Sequence, residues 1–564
     1  MKTAMKPFYA ANLWGTSVRR ARPDRPAPRH CAVEPLEIRR MMSAIPGPGP
    51  IHITPPISPV PTTVMGTPGN DVIDIVPSTT PSYVTVLVNG KVAMDQSWAS
   101  LGSKGLTIDG DGGTDKVNIG AGNLTSFAGR ITILDTGGQA TININDSLDN
   151  ASVTLTQELA GKDDIIVGIS PSPIAFNISQ TKSTTIKLGN GNNVVHSGAG
   201  AQTIIVGNGK NTLYGGSGSD TLTAGTGSNT FVTVGDGPAQ LNGGGGTNSY
   251  WTDAGSSQKI NDPWKGWESL IGNIHTISGF QKLVVDYVRG GTVSQTPPLG
   301  ALGGSLLEPD PTVISPGPDG IGTVTTTYAY EIFGFDPLFA PGGPTQNDIH
   351  QGGIGDCGFL AGLAGFAKVD QNWIEQSIVP LGDGTYAVRF FNSHDEPVYY
   401  RIDAELPVTG GGYFVGANAG ADNCIWAPLL EKAFTFFRLD QGSYQSIQGG
   451  GCGTALNSLG DGANAFWGSS PTNVLANIAA TLKTGQVVLA GTIVNPDPAD
   501  YVVGNHCYTV ESVQFNSKGV PVSITLRNPW GYDGPNIKDN PSAYGTLSAS
   551  QFYSDFFGAD AGWT

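Results

Sequence analysis

A nine-residue tandem repeat constrains this 564-residue chain more than any other feature of its sequence. LGNGNNVVH, SGAGAQTII, VGNGKNTLY, GGSGSDTLT and AGTGSNTFV follow one another from residues 188, 197, 206, 215 and 224. After one extra residue, Thr233, come VGDGPAQLN and GGGGTNSYW. The recurring glycines permit backbone turns that other residues avoid. The eighth place is always apolar: Val195, Ile204, Leu213, Leu222, Phe231, Leu241 and Tyr250. A flexible Gly-rich linker would not keep such a period, so the repeats are read as ordered structure. Looser versions precede them: GTPGNDVID with Asp71, GDGGTDKVN with Asp115 and LAGKDDIIV with Asp164. Strand-like segments such as YVTVLVNG lie between these.

The tandem tract, about 188–251, resembles the RTX nonapeptide G-G-x-G-x-D-x-U-x, in which U is apolar. The resemblance implies a parallel β-roll, with glycine turns, a stacked apolar eighth position and calcium on the sixth-position Asp. Residues 64–255 are therefore expected to form a parallel β-solenoid with irregular early rungs, separable from the C-terminal region. The calcium position itself departs from the pattern. It holds Asn193, Gln202, Asn211, Asp220, Asn229, Ala239 and Asn248, and only Asp220 is a carboxylate. Calcium affinity rises with oxygen count and charge. Calcium is thus expected weakly, through Asp220, or not at all, with stacked Asn ladders in its place; no cofactor is required.

A second constraint lies at Gln351–Phe366, QGGIGDCGFLAGLAGF. It reads as a Gly-rich turn running into a buried helix that starts at Cys357, with Leu360, Leu363, Ala364 and Ala367 at helical spacing. A cysteine at a helix N-terminus meets free N–H groups and the positive end of the macrodipole, which favours the thiolate. Gln351 can aim an amide N–H at the same centre, beside the backbone N–H of Cys357, to hold an oxyanion. A thiol nucleophile needs a base and an orienting partner. His506 in VVGNHCYTVESV and Asn528 in ITLRNPWGY stand at a strand start and a strand end, where they can meet across a sheet.

The wording around these residues resembles the calpain family of papain-like cysteine proteases over about 330–560. QGGIGDCGFLAGLA resembles Q-G-x-x-G-D-C-W-F-L-A-A-L-A, GNHCYTV resembles G-H-A-Y-x-V, and LRNPWG contains R-N-P-W-G. IDAELPV, WAPLLEKAF and GSYQSIQGG resemble further family blocks, in the family's order. The resemblance implies an α+β papain-like domain that hydrolyses peptide bonds through a thioester. In it Cys357 is the nucleophile, His506 the base, Asn528 its orienter and Gln351 the oxyanion donor. Trp530 shields the His–Asn bond, and Glu431 and Lys432 support their helix. Two departures are Gly358, where the family has Trp, and Asn505, which interrupts the Gly-His pair. The family's calcium sites in the protease core are degraded as well. Cys424 stands where one site has an acidic residue, although Asp348 matches another of its ligands. At the second site Tyr532 follows N-P-W-G, and Asp533 is the nearby carboxylate. Calcium control of the kind typical in the family is therefore not expected.

Residues 1–44 are rich in Arg, lack an apolar signal-type core and end in VEPLEIRRMMSA. That ending resembles the LEPR-XLL sorting motif of planctomycete exported proteins, with Ile38 in place of Pro. It implies a targeting segment that is cleaved on export; a basic disordered tail is the alternative. Residues 45–63 form a Pro-rich spacer. Residues 256–329 are transitional, offering a short helix, a strand, a structural His275 and a Pro/Gly hinge. Residues 330–564 form the protease-like domain. With 80 Gly, 13% charged residues and a net charge of −16, the chain lacks the basic face that nucleic-acid binding needs. No apolar run is long enough to form a transmembrane helix, so cell-surface association would need another route. Secretion or surface location and protein or peptide substrates are expected. Of the five cysteines, Cys31 falls in the targeting segment and Cys357 is expected free. Cys424 and Cys452 are candidates for a disulfide, and Cys507 is expected to face away from His506. Two other readings use the same residues: a surface adhesin with an inactive protease fold, and a thiol acyl transferase of transglutaminase type.

Overall fold

Nine residues make half a coil. The computed structural model describes residues 62–254, 258–270, 272–281, 306, 308–316 and 322–562. In its tandem region successive repeats go alternately to two sheets. Val195 pairs in parallel with Leu213, Leu213 with Phe231 and Phe231 with Tyr250 in one sheet. Ile204 pairs with Leu222 and Leu222 with Leu241 in the other. The eighth-position side chains of both sheets point inward, and all seven are fully buried. The second apolar stack runs on toward the N-terminus through Ile186, Ile144, Ile119 and Ile75. Two antiparallel excursions break the early coils, one within Val72–Ser97 and one within Thr154–Asn177. These are the irregular rungs that the looser repeats foreshadow. The roll also runs past the expected boundary at 255. Lys259–Asn261 and Ile274–Ile277 add a last parallel strand to each sheet, with the helix Lys265–Leu270 between them.

The sixth-position amides form a ladder along one corner of the roll. The side-chain amide of Asn193 donates to Asn211 Oδ1 (3.0 Å), Asn211 to Asn229 (2.8 Å), and Asn229 to Asn248 (2.8 Å). Asn248 ends the series on Asp262 Oδ2 (2.7 Å). The same nitrogens donate to the carbonyls of Gly191, Gly209, Gly227 and Gly246. A polarised N–H thus meets the turn carbonyls that a cation would otherwise need to approach. Asp220, on the opposite corner, accepts the N–H of Gln202 with one oxygen (3.1 Å) and that of Gly216 with the other (3.0 Å). Both Asp220 oxygens are thus engaged by backbone N–H groups.

The protease-like region has two lobes. The first gathers around the helix Cys357–Val369, the helices Trp426–Phe437 and Gly453–Ser458, and the three-stranded sheet Ile378–Pro380, Thr385–Phe391 and Pro397–Asp403. The second is a six-stranded antiparallel sheet in the order 464–466, 556–561, 488–492, 507–515, 521–527 and 544–548, covered by the helix Pro471–Lys483. The Cys357 helix is buried along almost its whole length. Gly362 on it has no side chain, so Ala455 of the Gly453–Ser458 helix can close onto its backbone.

The roll docks on the first lobe. Tyr214, Val232, Val234, Trp251 and Ile277 share an apolar cluster with Val379, Leu381, Ala387 and Tyr399. Polar bonds cross the same seam: Ser249 Oγ to Gln376 Oε1 (2.7 Å) and Asn372 to Asn273 (3.1 Å). In the full chain the roll and the first lobe are therefore joined by a packed seam. The Pro/Gly stretch at 308–316 is likewise not a free hinge. Glu308 is buried against Lys432, and Thr312–Pro316 is a strand paired with Thr323–Thr327. The other expected hinge segment, the targeting segment and nearly all of the spacer lie outside the described residues.

His275, expected to be structural, sits in the seam. Its ring stacks on Trp251 (3.7 Å between centroids), and its Nε2 hydrogen bonds Gln376 Oε1 (2.8 Å). Burial holds its pKa well below 6.5, and nearby Arg389 adds to the effect. The unfolded chain takes up the proton that the folded seam refuses, so stability falls as pH drops below 6.5. The loss is about 1.4 kcal/mol per pH unit while the folded ring stays neutral. His275→Gln is expected to flatten this acid limb, measured by denaturant unfolding of both chains between pH 7 and 5. In the ladder, Asn211→Ala strands buried amide partners and is expected to cost about 1–3 kcal/mol in the same assay.

Candidate active site

The site lies on the seam between the two lobes. Cys357 opens its helix, and its sulfur faces the main-chain N–H groups of Cys507 and Gly358. Cys507 directly follows His506, so the nucleophile of one lobe and the base of the other are brought together. His506 is pinned at its backbone: its N–H donates to Thr492 Oγ1 (2.8 Å), and its carbonyl accepts from Thr492 N (2.9 Å). Thr492 was not singled out from sequence; only its place in a strand preceding the His segment hints at it.

The imidazole tautomer follows from its neighbours. Asn528 donates its amide N–H to the carbonyl of Asp533 (3.0 Å), and its Oδ1 accepts from Trp530 N (3.0 Å). That orientation presents Oδ1 to His506 Nε2 at 2.8 Å. Nε2 therefore carries the proton, leaving the Nδ1 lone pair as the base. The Trp530 ring lies 5.1 Å from the imidazole, consistent with the shielding expected of it. Asn505 has φ 49°, a left-handed conformation that Asn tolerates better than most side chains. It gives the turn into His506 the backbone freedom that a glycine would.

Gln351 reaches the site, tied to the Asn528 loop by its backbone N–H on Pro529 O (2.9 Å). Its side-chain amide donates to Ile354 O (2.6 Å) and, at longer range, to Asp356 Oδ1 (3.4 Å). Asp356 and Glu431, both buried, face each other behind the nucleophile. Glu431 Oε2 accepts Ala417 N (2.8 Å), whereas Glu431 Oε1 and Asp356 Oδ2 have no conventional donor. A single shared proton satisfies both oxygens, and burial raises the pKa of each carboxyl accordingly. Neighbouring Lys432, fully buried, bonds both Asp403 and Glu308 at 2.6 Å. One ammonium cannot balance two buried carboxylates. Asp403 keeps the charge, while burial pushes Glu308 up to about 8 despite the nearby Lys432. Glu431 and Lys432 thus anchor the Trp426–Phe437 helix to the site.

The cysteines differ from expectation. The disulfide joins Cys452 to Cys507 across the lobes, and Cys424 is free and buried. Cys424 points into the core beside Asp348. The Asp348 oxygens accept Thr345 N (2.7 Å), Trp426 Nε1 (3.1 Å) and Ala421 N (3.1 Å). Both Asp348 oxygens are thus hydrogen-bonded by protein donors. Among the described residues no group of three or more His, Cys, Asp or Glu side chains has metal-binding geometry.

The helix N-terminus does not dominate the thiol. Burial pushes Cys357 up to about 11 against the pull of its N–H neighbours, and burial pushes His506 down to about 4 against its bond to Asn528. Burial thus disfavours both charged forms and opposes the thiolate favoured by the dipole. Iodoacetamide alkylation of Cys357 is therefore expected to climb about tenfold per pH unit from pH 7 to 10, because the thiolate fraction grows below a raised pKa. A plateau across that range would mark a preformed ion pair instead.

Residues 327–539 match the calpain family cysteine protease model, and residues 196–231 match the RTX calcium-binding nonapeptide repeat. Calpain-8 of Mus musculus is 31% identical over 212 residues, covering 35% of this chain and 29% of the relative. The Calpain-2 catalytic subunit of Homo sapiens is 31% identical over 215 residues, with the same coverage. Calpain-B of Drosophila melanogaster is 27% identical over 219 residues, covering 35% of this chain and 23% of the relative. The chain thus spans under a third of the length of these relatives. It carries a calpain-like cysteine protease domain behind an RTX-type roll. Among the described residues no helix is long and apolar enough to cross a membrane.

Proposed function

We propose that the domain is an endopeptidase acting outside the cytosol. The observation that carries this reading is the His506–Asn528 bond, which leaves Nδ1 free to act as the base. Cys357 attacks the scissile carbonyl carbon as its thiol proton passes to His506 Nδ1. The oxyanion forms beside the backbone N–H of Cys357 and the Gln351 amide, which turns from the Ile354 carbonyl to meet it. The imidazolium gives its proton to the leaving amine, and a thioester remains. Water, deprotonated by His506, then cleaves the thioester and restores the thiol. Asn528 holds the tautomer throughout. Protein or peptide substrates follow from this chemistry, and the roll serves as a rigid support or display surface. A disulfide beside the site favours an oxidising compartment, in keeping with export to the medium or the cell surface.

Gly358 and Asn505 prompted the alternative of an inactive domain. Neither residue displaces a member of the Cys–His–Asn set. We further propose that turnover needs no calcium, since the Asp348 oxygens already bind protein donors. The test is hydrolysis of a denatured-protein substrate by the full chain, from chelator to millimolar free calcium. Wild-type activity is expected to stay flat across that range. Cys357→Ala is expected to abolish it, His506→Ala to be nearly as damaging, and Asn528→Ala to leave a residue, because an orienter only improves the base. Undiminished cleavage by Cys357→Ala would remove this reading.

A further inference from the structure

We propose that the Cys452–Cys507 disulfide is a positioning device for catalysis, a covalent clamp that holds the His506 lobe in register with the Cys357 lobe. The inference rests on the peptidase reading of the site. Cys452 immediately precedes the Gly453–Ser458 helix, which packs on the Cys357 helix; Cys507 begins the strand that follows His506. The bridge spans 5.7 Å between Cα atoms and 55 residues of sequence. Its second half-cystine supplies a backbone N–H to the Cys357 sulfur, so the clamp closes directly beside the reacting atoms.

Two glycines make room for it. A Cβ on Gly358 would stand 2.9 Å from the Gly451 carbonyl oxygen and 3.6 Å from Cys452 Cα. A Cβ on Gly491 would stand 3.3 Å from the Cys452 sulfur and 2.9 Å from the Phe557 ring. A Trp at 358 would force the 451–452 segment off the nucleophile helix and pull Cys452 out of reach of Cys507. The loss of bulk beside the nucleophile and the gain of a crosslink are thus one structural change. Hydrogen bonds also cross the seam, at the site from Gln351 N to Pro529 O (2.9 Å) and elsewhere along it. They include Thr509 Oγ1 to Ala361 O (2.7 Å), Arg527 to Ile349 O (2.9 Å) and the Lys368–Glu511 pair (2.9 Å). A misplacement of about 1 Å between reacting groups costs about 100-fold in rate, so a clamp at this point acts on turnover.

The experiment uses the folded full chain and a water-soluble phosphine, which does not cap Cys357. Opening the bridge takes two electrons and two protons to give two thiols, and the phosphine leaves as its oxide with oxygen from water. Peptide mapping verifies that the 452–507 bridge has opened. Reduction is expected to lower kcat by about tenfold or more, with KM changed less than about twofold, as loss of alignment demands. Reoxidation after removal of phosphine restores the rate. Cys452→Ser, which leaves Cys507 in place, starts low and ignores the phosphine. Unchanged kcat in mapped, reduced wild type overturns the proposal, and because that protein is already folded the result does not depend on the variant. Hydrogen exchange at 453–458 and 507–510 reads the clamp without turnover. Faster exchange after reduction is expected, and unchanged exchange overturns the clamp. If the oxidised chain neither cleaves peptides nor takes a thiol-directed probe, the peptidase reading fails, while the exchange result still decides whether the bridge holds the lobes.

Discussion

The structure depends on one seam, where the N-terminus of the Cys357 helix meets the strand that begins at Cys507. Each lobe buries its own apolar core, yet neither contains a complete reactive set. The thiol comes from a helix of the first lobe and the imidazole and amide from the sheet of the second. Everything else at the site serves that junction. Thr492 clamps the His506 backbone, the Asn528 loop binds Gln351 through Pro529, and the Asp356–Glu431 pair fills the space behind the nucleophile. Such a seam is intrinsically weak if only neutral hydrogen bonds cross it, each worth about 1 kcal/mol net. A bridge closing a loop of 55 residues removes denatured-state entropy worth on the order of 4 kcal/mol.

Burial outweighs the helix end at the site. The helix N-terminus points the right way to favour a thiolate, but a helix-end charge effect is worth about 0.3–2 kcal/mol. Removing a charged sulfur from water costs more, and the raised Cys357 and lowered His506 pKa values record which effect wins. The same rule governs the residues behind them. Lys432 keeps its charge because Asp403 shares its burial, and Glu308 gives its charge up because no second cation is present.

Much of this was legible in the sequence. The β-roll showed because one apolar residue per nine must point inward on every half coil. The Asn ladder followed from counting carboxylates at the sixth position. Cys357, His506 and Asn528 stood out because the wording around each resembles the calpain-family blocks. What sequence hid was long-range. The Cys452–Cys507 pairing joins residues 55 apart in sequence, and spacing cannot choose among three cysteines. The docking of the roll through Trp251 and His275 was hidden because an aromatic facing outward from a roll looks like any exposed strand residue until a second domain covers it. The opposition of burial to the thiolate was hidden because the dipole is local and visible, whereas burial belongs to the whole fold.

The two regions meet the same problem with the same answer. An RTX-type corner gathers turn carbonyls that repel one another unless something positive lies between them. A divided protease lobe likewise leaves acidic groups such as Asp348 that need positive partners. Calcium would serve in both places, at the cost of tying folding and activity to its concentration. Here each place is filled from within: Asn amide N–H groups stand among the glycine carbonyls, and backbone and indole N–H groups surround Asp348. The cystine across the seam adds a covalent link between the lobes. Such a link persists only where thiols are kept oxidised. Under the proposed export, the cross-link and the compartment therefore belong together.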